Sequence, residues 1–199
     1  MATSVEIQTD GRAQRSERSR NAIVRAMLDL IAEGTPAPTA QLVAERADVG
    51  VRTVFRHFSD MDTLFAAMTD TIREEVEPLL VKDPQTGPLP DRVEEMIERR
   101  VLIFEKLSPY LRASIAQRKR SVFVKEQHDR DARLFRRDLK RWLPELESAA
   151  QDVADALEMA LSFEAWDRMR NEQKLGVKRA TSAIRRLITP LVVEKLSTN

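Results

Sequence analysis

Apolar residues recur along this chain at the spacing of an α-helix. The first clear stripe falls at i, i+3, i+4, i+7 and i+8 and consists of Ile23, Ala26, Met27, Leu30 and Ile31. Similar stripes follow through most of the chain, and no segment alternates between apolar and polar residues long enough to predict a strand. The pattern therefore predicts an all-α protein with about nine helices.

Helix-breaking and helix-capping residues divide the N-terminal quarter into one longer and two short helices. A glycine and two prolines end the first helix, and Thr39 is a suitable N-cap for the second. A third helix is predicted from Val51 to Phe58, and Ser59-Asp60 would cap a fourth that starts at Met61. Two short helices joined by a tight turn and packed on a longer one predict an N-terminal three-helix, helix-turn-helix unit.

The remainder of the chain is also helical in pattern. Lys82–Pro90 contains three prolines and a glycine and predicts a loop. Ser108-Pro109 is typical of a helix start and predicts a long basic helix that runs to about Trp142. Two further helices are predicted over Glu145–Asn171 and Gly176–Lys195.

The third predicted helix has one apolar and one polar face. Val54 and Phe58 point to one side, at about 100° per residue. The opposite arc carries hydrogen-bonding side chains, namely Arg52, Thr53, Arg56 and His57. Because Arg52 and Arg56 lie one turn apart, each can offer paired donors to a guanine edge or to a phosphate. The same pattern also fits a solvated surface helix, and periodicity alone leaves both interpretations open.

The segment Thr39–Phe65, TAQLVAERADVGVRTVFRHFSDMDTLF, resembles the N-terminal signature of the tetracycline-repressor (TetR) family of bacterial transcription regulators. The family pattern is roughly T-x-x-x-I-A-x-x-A-G-V-S-x-x-T-x-Y-x-H-F-x-x-K-x-x-L. The positions that match it at the correct spacing are Thr39, Val43-Ala44, Ala47, Val49, Thr53, His57-Phe58 and Leu64. The resemblance implies a DNA-binding domain over residues 12–60 and a helical ligand-sensing and dimerisation domain over residues 61–199. Helix 61–80 would be the only covalent link between them.

The resemblance also implies roles for single positions. Thr39 would meet a phosphate, Gln41 would reach a base or the backbone, and Arg52 is our candidate for direct base readout. The residues expected to bind DNA are Thr39, Gln41, Gly50, Val51, Arg52, Thr53, Phe55, Arg56 and His57.

Three residues depart from the family pattern. Gly50 replaces a serine cap, Phe55 replaces a tyrosine hydroxyl that contacts phosphate, and Met61 replaces a lysine. The arginines from Arg12 to Arg20 either grip the DNA backbone as an N-terminal arm or belong to a solvated tail.

Composition excludes most enzyme classes. The chain has no cysteine, only five isolated glycines and only two histidines, so thiolate sites, glycine-rich phosphate loops and local paired-histidine zinc motifs are all excluded. We therefore expect no catalytic residues, no metal and no cofactor. The start MATSVEIQTD is not a secretory signal, and no run approaches the ~20 apolar residues of a membrane span, so we expect a cytoplasmic protein without a membrane partner.

Charge is unevenly distributed although the net charge is only +1. Arg12–Arg25 contains five arginines and one acidic residue, and Arg118–Arg141 contains ten basic and four acidic residues. The second segment fits a solvated helix face, a contact with an anionic inducer or a second DNA contact, and the sequence leaves these open.

The last two predicted helices are alanine-rich and aliphatic, respectively. Pairing with their symmetry mates would form a four-helix dimer interface, and packing within one chain is the alternative. The expected interface residues are Ala149, Val153, Leu157, Ala160, Ile184, Leu187 and Leu191.

Aromatic and sulfur-containing residues of the chain are candidates for an inducer cavity. The expected lining is Met68, Phe104, Phe123, His128, Phe163 and Trp166, although core packing would also explain most of them and His128 fits a surface position. The resemblance to the TetR family implies a homodimeric repressor that binds a pseudo-palindromic double-stranded DNA operator and is released by an unidentified small apolar or amphipathic inducer. The alternative is a helical protein-interaction or scaffold module that does not bind DNA.

Overall fold

The computed structural model describes residues 3–80 and 86–196, and these residues form helices and no strand. The nine α-helices are α1 (Thr3–Ala32), α2 (Ala40–Arg46), α3 (Val51–His57), α4 (Met61–Leu80), α5 (Leu89–Gln117), α6 (Val122–Trp142), α7 (Gln151–Ala160), α8 (Phe163–Asp167) and α9 (Val177–Leu196). A 3-10 helix, Pro144–Glu147, precedes α7, and a π-helical turn, Arg168–Glu172, follows α8. The all-α prediction and its helix count are confirmed.

The first of two compact units contains the residues up to Glu75 together with Arg112–Lys125. It therefore combines α1, α2, α3 and most of α4 with the end of α5 and the start of α6. Apolar side chains from all of these helices are buried in it, among them Ile23, Met27, Val43, Val54, Leu64, Met68, Ala113 and Val124. Helix 61–80 is thus not the only link between the units, because α5 and α6 also run from one unit into the other.

The second unit contains Val76–Leu111 and the chain from Glu126 onward. Its core includes Met96, Ile97, Phe104, Leu139, Trp142, Leu157, Trp166, Ile184 and Ile188. Arg185 on α9 donates from Nε to both carboxylate oxygens of Glu94 on α5, at 2.7 and 2.8 Å. Arg92 Nη1 donates to the Trp142 carbonyl at 2.7 Å and so ties α5 to the end of α6.

The predicted start of a helix at Ser108-Pro109 is wrong, because both residues lie inside α5. Leu107 and Ala113, on either side of the proline, are buried, and their packing offsets the missing proline N–H. The break comes instead at residues 118–121, where Ser121 Oγ accepts a hydrogen bond from the Val124 N–H at 3.1 Å and caps α6. Of the predicted loop 82–90, residues 86–88 are non-helical, α5 begins at Leu89, and residues 82–85 lie outside the described range.

The continuous helix predicted over Glu145–Asn171 is also wrong, because this segment is divided into a 3-10 helix, α7, α8 and the π-helical turn. The serines at the breaks bond to the backbone and compete with α-helical hydrogen bonds. Ser148 Oγ donates to the Glu145 carbonyl at 3.1 Å, and Ser162 Oγ accepts from the Ala165 N–H at 3.1 Å as the cap of α8. Ala149 consequently lies in a bend before α7 rather than on a helix.

Candidate DNA-binding surface

Helices α2 and α3 each bury one face in the first unit and expose the other. Val43 and Ala44 anchor α2, and Val54 with the adjoining Phe58 anchors α3. On the opposite side of α3, the side chains of Arg52 and Arg56 are exposed. Neither guanidinium group forms a hydrogen bond or ion pair with another residue in the described part of the chain. The two guanidinium groups are therefore available to an external partner.

The other seven predicted DNA-binding residues lie before, between and after these two arginines in the sequence. Thr39, Gln41, Gly50 and Phe55 are exposed, whereas Val51, Thr53 and His57 are half-buried. Phe55 is 47% exposed, which leaves an aromatic ring on the surface of a polar helix. Such a ring offers apolar contact to a sugar or a thymine methyl group.

The starts of the two short helices differ in their capping. Thr39 is the N-cap of α2, as predicted, and its Oγ1 accepts a hydrogen bond from the Leu42 N–H at 3.3 Å. Because the hydroxyl oxygen accepts this bond, its own proton stays available for donation to a phosphate. Gly50 provides no side-chain cap to α3, also as predicted. The Gln41 side chain already forms a hydrogen bond, in which its Nε2 donates to Glu45 Oε1 at 2.7 Å.

The turn between α2 and α3 depends on Asp48, a residue that the sequence reasoning missed. Asp48 has φ +53°, in the left-handed region that aspartate and asparagine tolerate better than most other L-residues. The Val49 N–H then donates to the Ala44 carbonyl at 3.0 Å and closes the end of α2. The sequence held a signal for this conformation, because the family pattern has glycine at the position of Asp48 and glycine adopts positive φ readily.

An ion pair and a helix cap stabilise the helix-turn-helix unit and the start of α4. Arg46 on α2 forms a two-pronged ion pair with Glu33, just after α1, with N–O distances of 2.8 and 2.6 Å. The hydrogen bonds from Arg46 hold the pKa of the Glu33 carboxyl below its ordinary value. At the start of α4, Asp60 Oδ1 accepts from the Thr63 N–H at 2.7 Å, which confirms the predicted cap.

The arginines near the N-terminus lie on α1 and not on an extended arm. Arg15 Nε donates to the Gly11 carbonyl at 3.0 Å, a contact within the helix. The guanidinium of Arg20 lies 5.2 Å from the centre of the Phe58 ring, which brings its charge beside the end of α3.

His57 is expected to contact DNA, yet part of its imidazole ring is buried. Its Nε2 is buried and has no hydrogen-bond partner in the described structure. Burial lowers the pKa of His57, and the charges of Arg56 and Arg20 lower it further. The imidazole is therefore favoured in its neutral form.

The predicted dimer residues fall into two groups. Val153, Leu157, Ala160 and Ile184 are already buried within one chain, so they have little surface for a second copy. Leu187 is 57% exposed, and Ala149 and Leu191 are half-buried. Met159 of α7, 65% exposed, was missed. The apolar surface of α7 and α9 thus lies on positions other than most of those expected.

The predicted pocket residues are not brought together as a set. Met68 is in the core of the first unit, and Phe123 is half-buried in that same unit. Trp166 is buried and donates from Nε1 to Glu105 Oε1 at 2.9 Å. His128 and Phe163 do line a cavity of about 80 Å³ in the second unit, and the Phe104 ring lies 5.6 Å from that of Phe163.

Buried charges beside this cavity are a further feature that sequence reasoning missed. Arg99 and Arg100 of α5 and Asp138 of α6 are all at least 94% buried, and both arginines donate to the same Asp138 oxygen, Arg100 at 3.0 Å. A signal existed, since Arg100 falls on the apolar stripe of Ile97, Val101 and Phe104. A charged residue on such a stripe indicates a buried partner.

Among the described residues, no group of three or more histidine, cysteine, aspartate and glutamate side chains is arranged to hold a metal ion. Within the same ranges, every helix is too short or too polar to cross a membrane.

A comparison with known protein families finds a match for the N-terminal part of the chain. Residues 23–68 match the family model described as bacterial regulatory proteins, tetR family. This match covers the end of α1, the whole of α2 and α3, and the start of α4. No curated protein sequence matches the chain.

Solved structures share the fold over most of the chain. A transcriptional regulator from Rhodococcus sp. RHA1 is 18% identical, with a TM-score of 0.63 over 90% of this chain and 97% of that one. A TetR transcriptional regulator, also from Rhodococcus sp. RHA1, is 18% identical, with a TM-score of 0.55 over 88% of this chain and 97% of that one. At these identities the likeness concerns the fold.

Proposed function

We propose that this chain is a DNA-binding transcriptional regulator of the tetR family, and that it acts as a homodimeric repressor that a small ligand releases from a pseudo-palindromic operator. The observation that carries the proposal is the pair of exposed arginines on α3, Arg52 and Arg56, opposite the buried anchors Val54 and Phe58. A rigidly anchored helix that presents paired donors fits a DNA major groove. We assign DNA-binding roles to the nine residues expected from the sequence, with Arg52 reading a base.

Dimerisation follows from the geometry of operators, because two half-sites lie ~34–36 Å apart and each needs one recognition helix. The support in this chain is an apolar stripe on α9, where Leu187 is exposed and Ala183 and Leu191 are half-buried. We place the interface on this stripe and on the exposed Met159 of α7. An apolar surface of this kind is typical of homodimer contacts.

Ligand release is supported by the cavity of the second unit and by the paths of α5 and α6. Most of the cavity lining lies on these two helices, and both continue into the first unit. A ligand that favours one arrangement of α5 and α6 would change operator affinity by its differential affinity for the two states. We further propose that residues 12–60 bind DNA, that residues 61–199 sense the ligand and dimerise, and that the protein acts in the cytoplasm without catalysis.

The test is binding to duplexes selected from a random pool. Wild-type affinity should fall steeply as salt rises, because phosphate contacts release counterions. Arg52→Ala should cost about 1–3 kcal/mol on the preferred duplex and relax the preference at one base pair per half-site.

Arg168→Ala removes an equal charge from an exposed arginine of the second unit and is the matched control, expected to leave binding unchanged. Equal losses for Arg52→Ala on all duplexes would make Arg52 a phosphate contact. Absence of salt-dependent duplex binding by the wild type would favour the scaffold alternative.

A further inference from the structure

The cavity of the second unit has a charged inner wall. Its lining includes Arg100, and the surrounding apolar surface comes from Leu111, Phe135, Leu139, Leu161 and Phe163. Arg100 is only 2% exposed, so the cationic residue in this lining is almost fully buried. The cavity thus has one buried cation among apolar side chains, and His128, Asp131, Glu158 and Glu164 are further polar residues of its lining.

The positive charge at this wall is only partly compensated. Arg99 and Arg100 share the single carboxylate of Asp138, and Arg141 also lies 3.4 Å from it. Burial lowers the pKa of Arg100 from 12.5 to about 10, although Asp138 acts in the opposite direction, so the group is still charged at neutral pH. The rings of Phe135 and Phe104, 4.7 and 5.9 Å from the guanidinium carbon, supply weaker compensation.

Arg100 also has an unused donor. Its Nη2 donates to Asp138 and to the Phe135 carbonyl, but its Nε–H is buried without any acceptor in the described structure. A buried N–H without an acceptor is costly, so the guanidinium lacks one of the hydrogen bonds that would help to balance its charge.

The three acidic residues of the cavity lining are more exposed than Arg100, and each of them interacts with another residue. Glu158 Oε2 lies 2.5 Å from Arg136 Nε, and Glu164 Oε1 lies 3.6 Å from His128 Nε2. Asp131 also has an interaction partner. A cation in the cavity would meet carboxylates that are already paired, whereas an anion would meet the partly compensated Arg100.

We propose that this cavity binds a small organic carboxylate, with its carboxylate on Arg100 and its apolar body against the surrounding aromatic and aliphatic side chains. The inference rests on the proposed ligand-release function and names its ligand class. A volume of about 80 Å³ holds about five to eight water-sized groups, which fits the non-hydrogen atoms of a short-chain acid.

The test measures binding to the full-length protein without DNA, by calorimetry at pH 7.5. The probes are hexanoate, the neutral hexanamide and the cationic hexylamine. We expect hexanoate to bind at least tenfold more tightly than either. Arg100→Gln should remove this preference. Arg99→Gln is the matched control, because Arg99 shares Asp138 but does not line the cavity, and it should weaken hexanoate binding less than threefold.

Equal binding of hexanoate and hexanamide would overturn the proposal, as would tighter binding of hexylamine or no binding of any probe. If Arg100→Gln fails to fold, the comparison of the three probes on the wild-type protein still tests whether the cavity prefers a carboxylate. Operator release by hexanoate is measured separately. Tight hexanoate binding without release would support the carboxylate site and contradict the ligand-release part of the proposed function.

Discussion

Replacing Asp138 by asparagine tests how the buried charges of the second unit are balanced. The new side chain would have nearly the same shape but no negative charge, so Arg99 and Arg100 would remain buried at 5% and 2% exposure without a counterion. Removing one partner of a buried ion pair costs about 3–5 kcal/mol, chiefly because the remaining charge stays out of water. Since two guanidinium groups depend on this carboxylate, we expect the loss in unfolding free energy for Asp138→Asn to fall in the upper part of that range.

The measurement is urea unfolding followed by tryptophan fluorescence. Trp142 and Trp166 are fully buried and belong to the second unit, so the signal reports on the unit that contains Asp138. The stability difference follows from the shift in unfolding midpoint at an unchanged slope.

Glu158→Gln is the control for a carboxylate removed from an ion pair that water reaches. Glu158 is 31% exposed and its partner Arg136 is 57% exposed, so the expected cost is below about 1 kcal/mol. A loss for Asp138→Asn no larger than that of Glu158→Gln would refute the reasoning. The triple change of Arg99→Met, Arg100→Met and Asp138→Leu should restore most of the stability, because no unpaired charge would remain.

Three further predictions concern the interface, the turn and one histidine. Leu187→Glu should convert the dimer to monomer in sedimentation and abolish operator binding; a dimeric variant would move the interface elsewhere. Asp48→Gly should raise the unfolding free energy by up to about 1 kcal/mol, because glycine relieves the left-handed strain of about 1–2 kcal/mol but loses more backbone entropy; a destabilised variant would contradict this. Because the folded-state pKa of His57 is lowered, its stabilising contribution is present above the ordinary value of 6.5 and is lost as pH falls through the lowered pKa. His57→Gln should therefore flatten the pH dependence of stability below 6.5, and an unchanged slope would count against it.

The sequence by itself determined the features that depend on neighbouring residues. The cap at Thr39, the missing cap at Gly50 and the inward position of Val54 all follow from local hydrogen bonding and helical periodicity, and the structure agrees with each. The same local rules, together with the resemblance of Thr39–Phe65 to known regulators, were sufficient to predict the fold class and the helix-turn-helix unit.

Only the tertiary structure decided where local signals conflict with packing. Pro109 is typical of a helix start, but α5 continues on both sides of it because the neighbouring residues are buried. Ala160 and Leu157 are buried in the core of their own chain and not at a dimer interface. The apolar stripe predicts that this face of the helix is buried, but it does not show whether the same chain or a second copy covers it. Arg100 and Asp138 are 38 positions apart, and a charge on an apolar stripe is stabilised only by a partner that folding brings to it. That partner cannot be identified from periodicity, since it depends on how α5 and α6 pack against each other.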